Sequence, residues 1–187
     1  MRTDAGMLLI PIARAAIGRE LGHAHAAAEY EPWLHEPGAT FVTLMQSEAL
    51  RGCIGSLHAH RTLLEDVKAN AVAAAFRDPR FKPLRADEFA AVHIEISLLS
   101  PLAPMVFEDE THALSQLQPG VDGLVFQYGH HQSTFLPQVW EQIAAPRDFL
   151  AHLKYKAGLP PDFWDADVKL SRYTVSKWRE QDLRRAG

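Results

Sequence analysis

Apolar residues recur at helical spacing in three segments of the chain. The first stripe consists of Leu8, Leu9, Ile12, Ala16 and Ile17. Gly22 would stop this helix, and Pro11 would either begin it or kink it. Another stripe begins after Pro146, which suits a first helical turn, and ends before Gly158, which suits a helix end. Its apolar residues are Phe149, Leu150 and Leu153.

The remaining predicted helix has a specific start signal. Residues 62–65 (Thr-Leu-Leu-Glu) form a capping box, in which a hydroxyl and a carboxylate satisfy free amide donors. The stripe that follows consists of Leu63, Leu64, Val67, Ala71, Ala74 and Ala75. Pro79 prevents the helix from continuing past Asp78. Residues 87–92 predict a further short helix.

Strand-forming residues predict two hairpins and two further strands. The hairpins are residues 40–45 with 50–57, and residues 123–128 with 133–136. Ile94, Ile96 and Leu98 occupy every second position, as on one face of a half-buried strand. Residues 167–176 predict a final strand. Residues 24–38 predict an irregular connection. Because hairpins pair antiparallel, the pattern predicts an α+β fold with a mostly antiparallel sheet flanked by helices.

Composition and charge narrow the class of protein. A chain of 187 residues, 47% hydrophobic and 22% charged, buries a core as one domain or as two closely packed lobes. The formal net charge of −4 gives no global attraction to a polyanion, so nucleic acid is not an expected partner. The single cysteine, Cys53, excludes an intramolecular disulfide and a zinc site with several thiolates. Pro11 and Arg14 interrupt the N-terminal apolar stretch, so we expect a cytoplasmic protein without a membrane span.

The leading candidate site is the segment 50–55 (Leu-Arg-Gly-Cys-Ile-Gly) on a predicted strand. Residues two apart share a strand face, so the Arg51 guanidinium, the Cys53 thiol and Gly55 would lie together. Such a guanidinium stabilises a thiolate, and glycines allow a ligand or another backbone to approach. In the alternative interpretation, Cys53 is a small buried residue and the glycines serve packing or a bulge. Spacing alone favours this alternative, because no histidine base lies nearby in the sequence.

Two histidine pairs are weaker candidates. His58 and His60 could share a face and, with a distant carboxylate, hold a transition metal, but exposed loop histidines are the simpler interpretation. The side chains of His130 and His131 would diverge in a turn. We therefore nominate no metal site.

The loop of residues 77–85 concentrates four basic residues near Phe81. This composition suits an anionic ligand or an acidic partner, and a solvated surface is the default explanation. A structural role is the third interpretation, in which Asp78 holds Arg80 while Phe81 anchors the loop to the core.

Several motifs together resemble the AMMECR-type domain family. They are residues 50–55, Asp78-Pro79-Arg80-Phe81, Ile94-Glu95-Ile96-Ser97, Leu136-Pro137-Gln138-Val139, Lys156-Ala157-Gly158-Leu159 and Trp164. The resemblance covers residues 5–178 and leaves 179–187 as a C-terminal tail. It implies an α+β fold of two unequal lobes with a cleft, and an active or binding site at residues 50–55. Prokaryotic members are similar to protein A of the AmmeMemoRadiSam system, which implies a Memo-like protein and a radical SAM enzyme as partners.

These features support two hypotheses of function. In the first, the protein is an enzyme or enzyme subunit in which Cys53 is a nucleophile or substrate contact and Arg51 polarises it or binds an anion. The predicted ligand-binding residues are Gly52, Ile54, Gly55, Asp78, Arg80 and Phe81. In the second, the same segment belongs to a non-catalytic binding or adaptor module. A small-molecule ligand is compatible with both hypotheses. Nucleic-acid binding, a weaker third hypothesis, rests on the basic loop alone. The sequence specifies no cofactor.

Overall fold

The computed structural model describes residues 4–23 and 26–185 and confirms the predicted α+β class. In chain order the elements are α1 (Gly6–Glu20), β1 (Thr40–Gln46), β2 (Ala49–Gly55), α2 (Leu63–Phe76), β3 (His93–Leu99), β4 (Ala103–Pro104), α3 (Glu110–Ser115), β5 (Gly123–Tyr128), β6 (His131–Phe135), α4 (Pro146–Lys156), β7 (Lys169–Tyr173), β8 (Val175–Arg179) and α5 (Glu180–Arg185). Short 3-10 helices at Pro32–His35 and Pro137–Glu141 interrupt two connections.

The chain forms two compact units. The larger comprises Met1–Leu99 and Ser176–Gly187, and the smaller comprises Ser100–Val175. Each has a four-stranded sheet, with the order β2-β1-β3-β8 in the larger unit and β4-β7-β5-β6 in the smaller. The two unequal lobes implied by the family resemblance correspond to these units.

The core of the larger unit lies between the sheet and the helices α1 and α2. Apolar residues from all three are completely buried, among them Leu9, Ile12, Ile17, Val42, Leu44, Val67, Ile94 and Ile96. Burial of each such side chain contributes about 1.5–3 kcal/mol. Helix α1 begins at Gly6, so Pro11 lies inside it rather than at its start.

The other face of this sheet, which we call the outer face, carries the alternate residues of the same strands. Because β1 pairs antiparallel with both β2 and β3, Thr43 lies between Cys53 and Glu95, and Phe41 lies between Gly55 and Ser97. All six residues are half-buried. The outer face consists of Phe41, Thr43, Cys53, Gly55, Glu95 and Ser97.

A two-residue turn joins β1 to β2 and sets their register. Ser47 and Glu48 both have positive φ, 48° and 62°. Two consecutive left-handed residues match the type I′ turn, whose twist suits an antiparallel hairpin. The register shifts between Leu44 and Met45, which places an irregularity opposite Arg51. The predicted hairpin is confirmed, although β2 ends at Gly55 rather than at residue 57.

The smaller unit packs α4 against its sheet. Phe149, Leu150 and Leu153 are completely buried, as the sequence predicted, and the Phe149 ring stacks on Trp140 with centroids 3.7 Å apart. Lys154 is also buried, and its Nζ donates to Glu110 Oε1 at 2.8 Å and to a backbone carbonyl at 2.9 Å. The short elements α3 and β4 were not predicted.

Two predictions of secondary structure were wrong. Residues 87–92 form turns rather than a helix. Their hydrogen bonds join residues three apart, from Glu88 N–H to the Arg85 carbonyl and from Ala91 N–H to the Glu88 carbonyl. Six residues are too few for a stable helix unless packing selects it. Residues 167–176 belong to two strands, because the chain leaves the smaller sheet at Tyr173 and enters the larger one at Val175.

The C-terminal segment contains regular structure. Residues 179–187, which we expected as a tail, include α5, and Glu180 is only 6% exposed. Its carboxylate accepts hydrogen bonds from Arg14 Nε at 2.7 Å and Nη2 at 2.6 Å. Within the described ranges, no helix is long and apolar enough to cross a membrane.

Candidate functional site

Cys53 lies on β2, an edge strand of the larger sheet. Its N–H donates to Asp78 Oδ2 at 2.8 Å, and its carbonyl accepts from Arg80 Nη2 at 3.2 Å. The Asp78 and Arg80 side chains therefore bind the Cys53 N–H and carbonyl groups, which would otherwise be free to pair with a further strand. This protects the sheet edge from unwanted strand pairing. We call the Asp78 and Arg80 side chains the clamp. The loop interpretation in which Asp78 holds Arg80 is confirmed.

The Asp78 carboxylate accepts four hydrogen bonds. Oδ2 accepts from Cys53 N–H and from Arg80 Nη2 at 2.7 Å, while Oδ1 accepts from Arg80 Nε at 2.9 Å and from its N–H at 3.1 Å. The hydrogen bonds from the Arg80 side chain lower the pKa of Asp78 far below its usual range, against the effect of burial, and the two backbone N–H groups add to this. Asp78 is therefore ionised at neutral pH, with all four of these hydrogen bonds in place.

The Cys53 thiol lies on the outer face and is half-buried. Thr43 Oγ1 donates a hydrogen bond to Sγ at 3.2 Å. This contact follows from the register of β1 and β2. Thr43 and Cys53 lie opposite each other, and the backbone groups of Cys53 point away from β1 to the clamp. Side chains of such a non-hydrogen-bonded pair lie close together. Beyond Thr43, Glu95 binds Lys177 Nζ at 2.5 Å and Arg179 Nε at 3.3 Å. The thiol thus accepts from a hydroxyl, which is no general base at neutral pH, and the Arg80 guanidinium also interacts electrostatically with Cys53.

The guanidinium of Arg51 binds Glu88. Nε donates to Oε1 at 3.2 Å and Nη2 donates to Oε2 at 3.1 Å, so the pair is bidentate. These hydrogen bonds lower the pKa of Glu88, together with the N–H of Arg85 and against the effect of burial. We expected the Arg51 guanidinium beside the thiol; the guanidinium that reaches the Cys53 backbone is instead that of Arg80. Sequence reasoning missed Glu88, which lies 37 residues from Arg51.

Both glycines of the segment allow other parts of the same chain to pack closely against β2. A Cβ at Gly52 would lie 2.1 Å from the carbonyl oxygen of Ala74 on α2, so only glycine allows this approach of helix and strand. A Cβ at Gly55 would lie 2.2 Å from the ring of Phe41. Ile54 packs partly against the core of the larger unit. This geometry favours the packing interpretation of the glycines.

The basic loop is anchored by Leu84 rather than by Phe81. Leu84 is 3% exposed, whereas Phe81 is half-buried and lies 5.5 Å from the Arg80 guanidinium. Arg77, Lys82 and Arg85 are exposed. Arg85 pairs with Asp87, so part of the loop's positive charge is neutralised locally.

A buried polar network next to β2 was not predicted. Asp66 is completely buried on α2 and accepts five hydrogen bonds of 2.6–2.9 Å. The donors are the N–H and hydroxyl of Thr40, the Ser56 hydroxyl, Arg61 Nε and Asn70 Nδ2. Because Ser56 follows β2 directly, the network fixes the end of that strand. Polar residues at positions 66 and 70 of an otherwise apolar stripe were the available signal.

The predictions for the two histidine pairs compare differently with the structure. His58 and His60 are exposed in a loop, as predicted. The divergence predicted for His130 and His131 was wrong, because their ring centroids lie 4.2 Å apart and His131 Nδ1 is hydrogen-bonded to the Ala157 carbonyl. Among the described residues, no group of three or more histidine, cysteine, aspartate or glutamate side chains is arranged to hold a metal ion.

Comparison with known proteins identifies the family. The AMMECR1 family model matches residues 10–178. The chain belongs to the AMMECR1 family. Protein MJ0810 of Methanocaldococcus jannaschii is 33% identical over 190 residues, which cover 97% of this chain and 92% of that protein. A Methanothermobacter thermautotrophicus protein is 33% identical over 184 residues, 95% of each chain.

A solved structure agrees with this family assignment. The crystal structure of uncharacterized protein PH0010 from Pyrococcus horikoshii has a TM-score of 0.82 and 31% identity to this chain. The match covers 97% of this AMMECR1 chain and 94% of that one. The family resemblance predicted from the sequence motifs is confirmed.

Proposed function

We propose that this member of the AMMECR1 family is a binding module that docks a partner protein on the outer face around Cys53. The observation that carries the proposal is the clamp. Four hydrogen bonds to Asp78 hold the Cys53 backbone and Arg80 in one geometry, while the Arg80 side chain stays 54% exposed. A rigid surface with an exposed guanidinium suits recognition, because little side-chain freedom is lost on binding.

The contacts of the segment favour binding over nucleophilic catalysis. A cysteine nucleophile requires an adjacent base or an activating cation. Sγ has a hydroxyl neighbour, the Arg51 guanidinium is bound to Glu88, and the Arg80 guanidinium, which interacts with Cys53, is paired with Asp78. The spaces beside Gly52 and Gly55 are filled by protein atoms. These contacts support a shaped binding surface rather than an assembled nucleophile.

The form of the surface favours a protein partner over a small molecule at Cys53. The outer-face residues lie side by side on a β-sheet, and the exposed Arg80 guanidinium lies at the edge of that sheet. Small-molecule ligands usually bind in concave pockets, whereas protein partners bind flatter surfaces with a polar rim and arginine contacts. The family resemblance suggests a Memo-like protein and a radical SAM enzyme as partners.

Titration calorimetry with the Memo-like protein of the same organism tests the proposal. Arg80→Glu would break the clamp and reverse the exposed charge, so we expect binding to weaken at least about tenfold. Lys82→Glu makes the same charge change on an exposed residue of the same loop and is the matched control, for which we expect less than about threefold. Equal effects of the two variants, or no complex with the wild type, would reject the proposal.

An enzyme with Cys53 as its nucleophile is the second candidate. It is favoured by one observation, that the thiol is half-buried rather than sealed in the core. Iodoacetamide alkylation at neutral pH separates the candidates. A rate above that of free cysteine would support catalysis, and a slower rate would support the binding module.

A further inference from the structure

A cavity of about 360 Å³ in the larger unit lies apart from the residues of the clamp and the outer face. Its apolar lining consists of Met7, Ile10, Pro11, Ala15, Ala26 and Leu183. Arg14 and Glu180 supply its polar lining. This volume falls within the range of small-molecule sites, about 300–1,000 Å³.

Helix α1 has a second apolar face that turns to this cavity. Its core face is completely buried at Leu9, Ile12 and Ile17. Residues 7, 10, 11, 14 and 15, spaced three and four apart, line the cavity. Met7 and Pro11 are exposed there, whereas Ile10 and Ala15 are buried and Ile10 also packs in the core. Met7 is 64% exposed there, although a helix that is apolar on both sides is ordinarily covered on both.

The polar end of the cavity is electrically balanced. Arg14 and Glu180 form a bidentate pair at 2.6 and 2.7 Å. Arg14 also donates to the carbonyls of Phe89 and Val92, and Glu180 accepts from Ile94 N–H. A charged ligand would have to compete with these bonds, so the cavity suits a neutral molecule.

Pro11 provides a hydrogen-bond acceptor on the cavity wall. Proline has no N–H, so the Met7 carbonyl lacks the donor that residue 11 of an α-helix would normally supply. Met7 and Pro11 both line the cavity, so this acceptor lies on the lining face of α1. A ligand with one hydroxyl or N–H group would supply the missing donor.

We propose that this cavity binds a small, neutral, largely apolar molecule that carries one hydrogen-bond donor. The apolar residues of α1 that line the cavity contact its body, and the Met7 carbonyl accepts its donor. The site is independent of the Cys53 surface, because the two share no residue.

A matched pair of probes tests the proposal on the full chain. 1-Naphthol and its methyl ether share the ring system, but only the naphthol donates a hydrogen bond. Amide chemical shifts followed by NMR should saturate with 1-naphthol and cluster at residues 7–15 and 183, with the ether binding about fivefold more weakly, as expected for one neutral hydrogen bond. Shifts scattered over the chain, or equal affinity for both probes, would overturn it.

Two variants locate the bound probe. Ala15→Phe would fill the cavity and abolish the shifts, whereas Ala90→Phe, at an exposed residue of the same unit, would leave the affinity unchanged. Met7→Glu places a charge at an exposed lining position and should weaken 1-naphthol at least about tenfold even if Ala15→Phe does not fold. Unchanged affinity in folded Met7→Glu would overturn the assignment.

Discussion

Replacement of Asp78 by asparagine tests whether the clamp stabilises the Cys53 segment. The amide keeps one acceptor oxygen but presents N–H groups to the donors Cys53 N–H and Arg80, so at least two charge-assisted bonds are lost. Each contributes about 1.5–3 kcal/mol when buried. Because the Arg80 side chain is 54% exposed and regains water, we expect a loss of about 2–3 kcal/mol of unfolding free energy, not the full sum.

The effect of Asp78→Asn should depend on pH with a definite sign. The pKa of Asp78 is lower in the folded state, chiefly because of the Arg80 hydrogen bonds, so the unfolded state binds more protons in acid. The stabilisation is complete above the unfolded pKa of about 3.9 and is lost as pH falls towards the folded value. The difference between wild type and variant should therefore shrink from about pH 5 to about pH 2.

Urea unfolding at several pH values measures this difference, and amide exchange at Cys53 reports on the clamp locally. The matched control is Asp87→Asn, because Asp87 is 64% exposed and its partner Arg85 is 74% exposed. We expect the control to change stability by less than about 0.5 kcal/mol. An Asp78→Asn protein as stable as the control, or a difference that grows in acid, would refute the reasoning.

Three further variants test the packing around the segment. Gly52→Ala should lower the unfolding free energy by about 2–3 kcal/mol in urea titrations, because the new Cβ would lie 2.1 Å from a carbonyl oxygen of α2; wild-type stability would contradict this. Asp66→Ala should cost at least about 3 kcal/mol, because it leaves buried donors without an acceptor, and a cost below about 1 kcal/mol would show that the network is dispensable. Arg51→Ala should leave the rate of Cys53 alkylation within about twofold of wild type, because the guanidinium is bound to Glu88; a larger change would mean that Arg51 acts on the thiol.

Local patterns in the sequence were sufficient for much of the fold. The capping box at Thr62 and Glu65 is present, and the helices of residues 63–76 and 146–156 bury the predicted apolar faces. These features depend on neighbours within one or two helical turns, which a single sequence displays. The switch of the chain between two sheets at Thr174 depends on pairing with distant strands, so residues 167–176 resembled one strand.

The candidate site was predictable in position but not in its contacts. The segment 50–55 and the motif at residues 78–81 were both nominated, yet their connection through the Asp78 carboxylate depends on the loop returning to the edge of β2. The requirement for glycine at position 52 depends on a helix backbone 22 residues away. Such contacts are set by tertiary packing, which local spacing does not encode.

The account predicts that partner binding uses the surface at Cys53 but not its thiol chemistry. Because Cys53 is the only cysteine, N-ethylmaleimide labels that position alone. The affinity of the Memo-like protein should be measured for wild type, the labelled protein and Cys53→Ser. We expect the label to weaken binding at least about tenfold by steric exclusion and Cys53→Ser to bind within about twofold of wild type. Unimpaired binding by the labelled, folded protein would contradict the central claim that the partner docks on this surface.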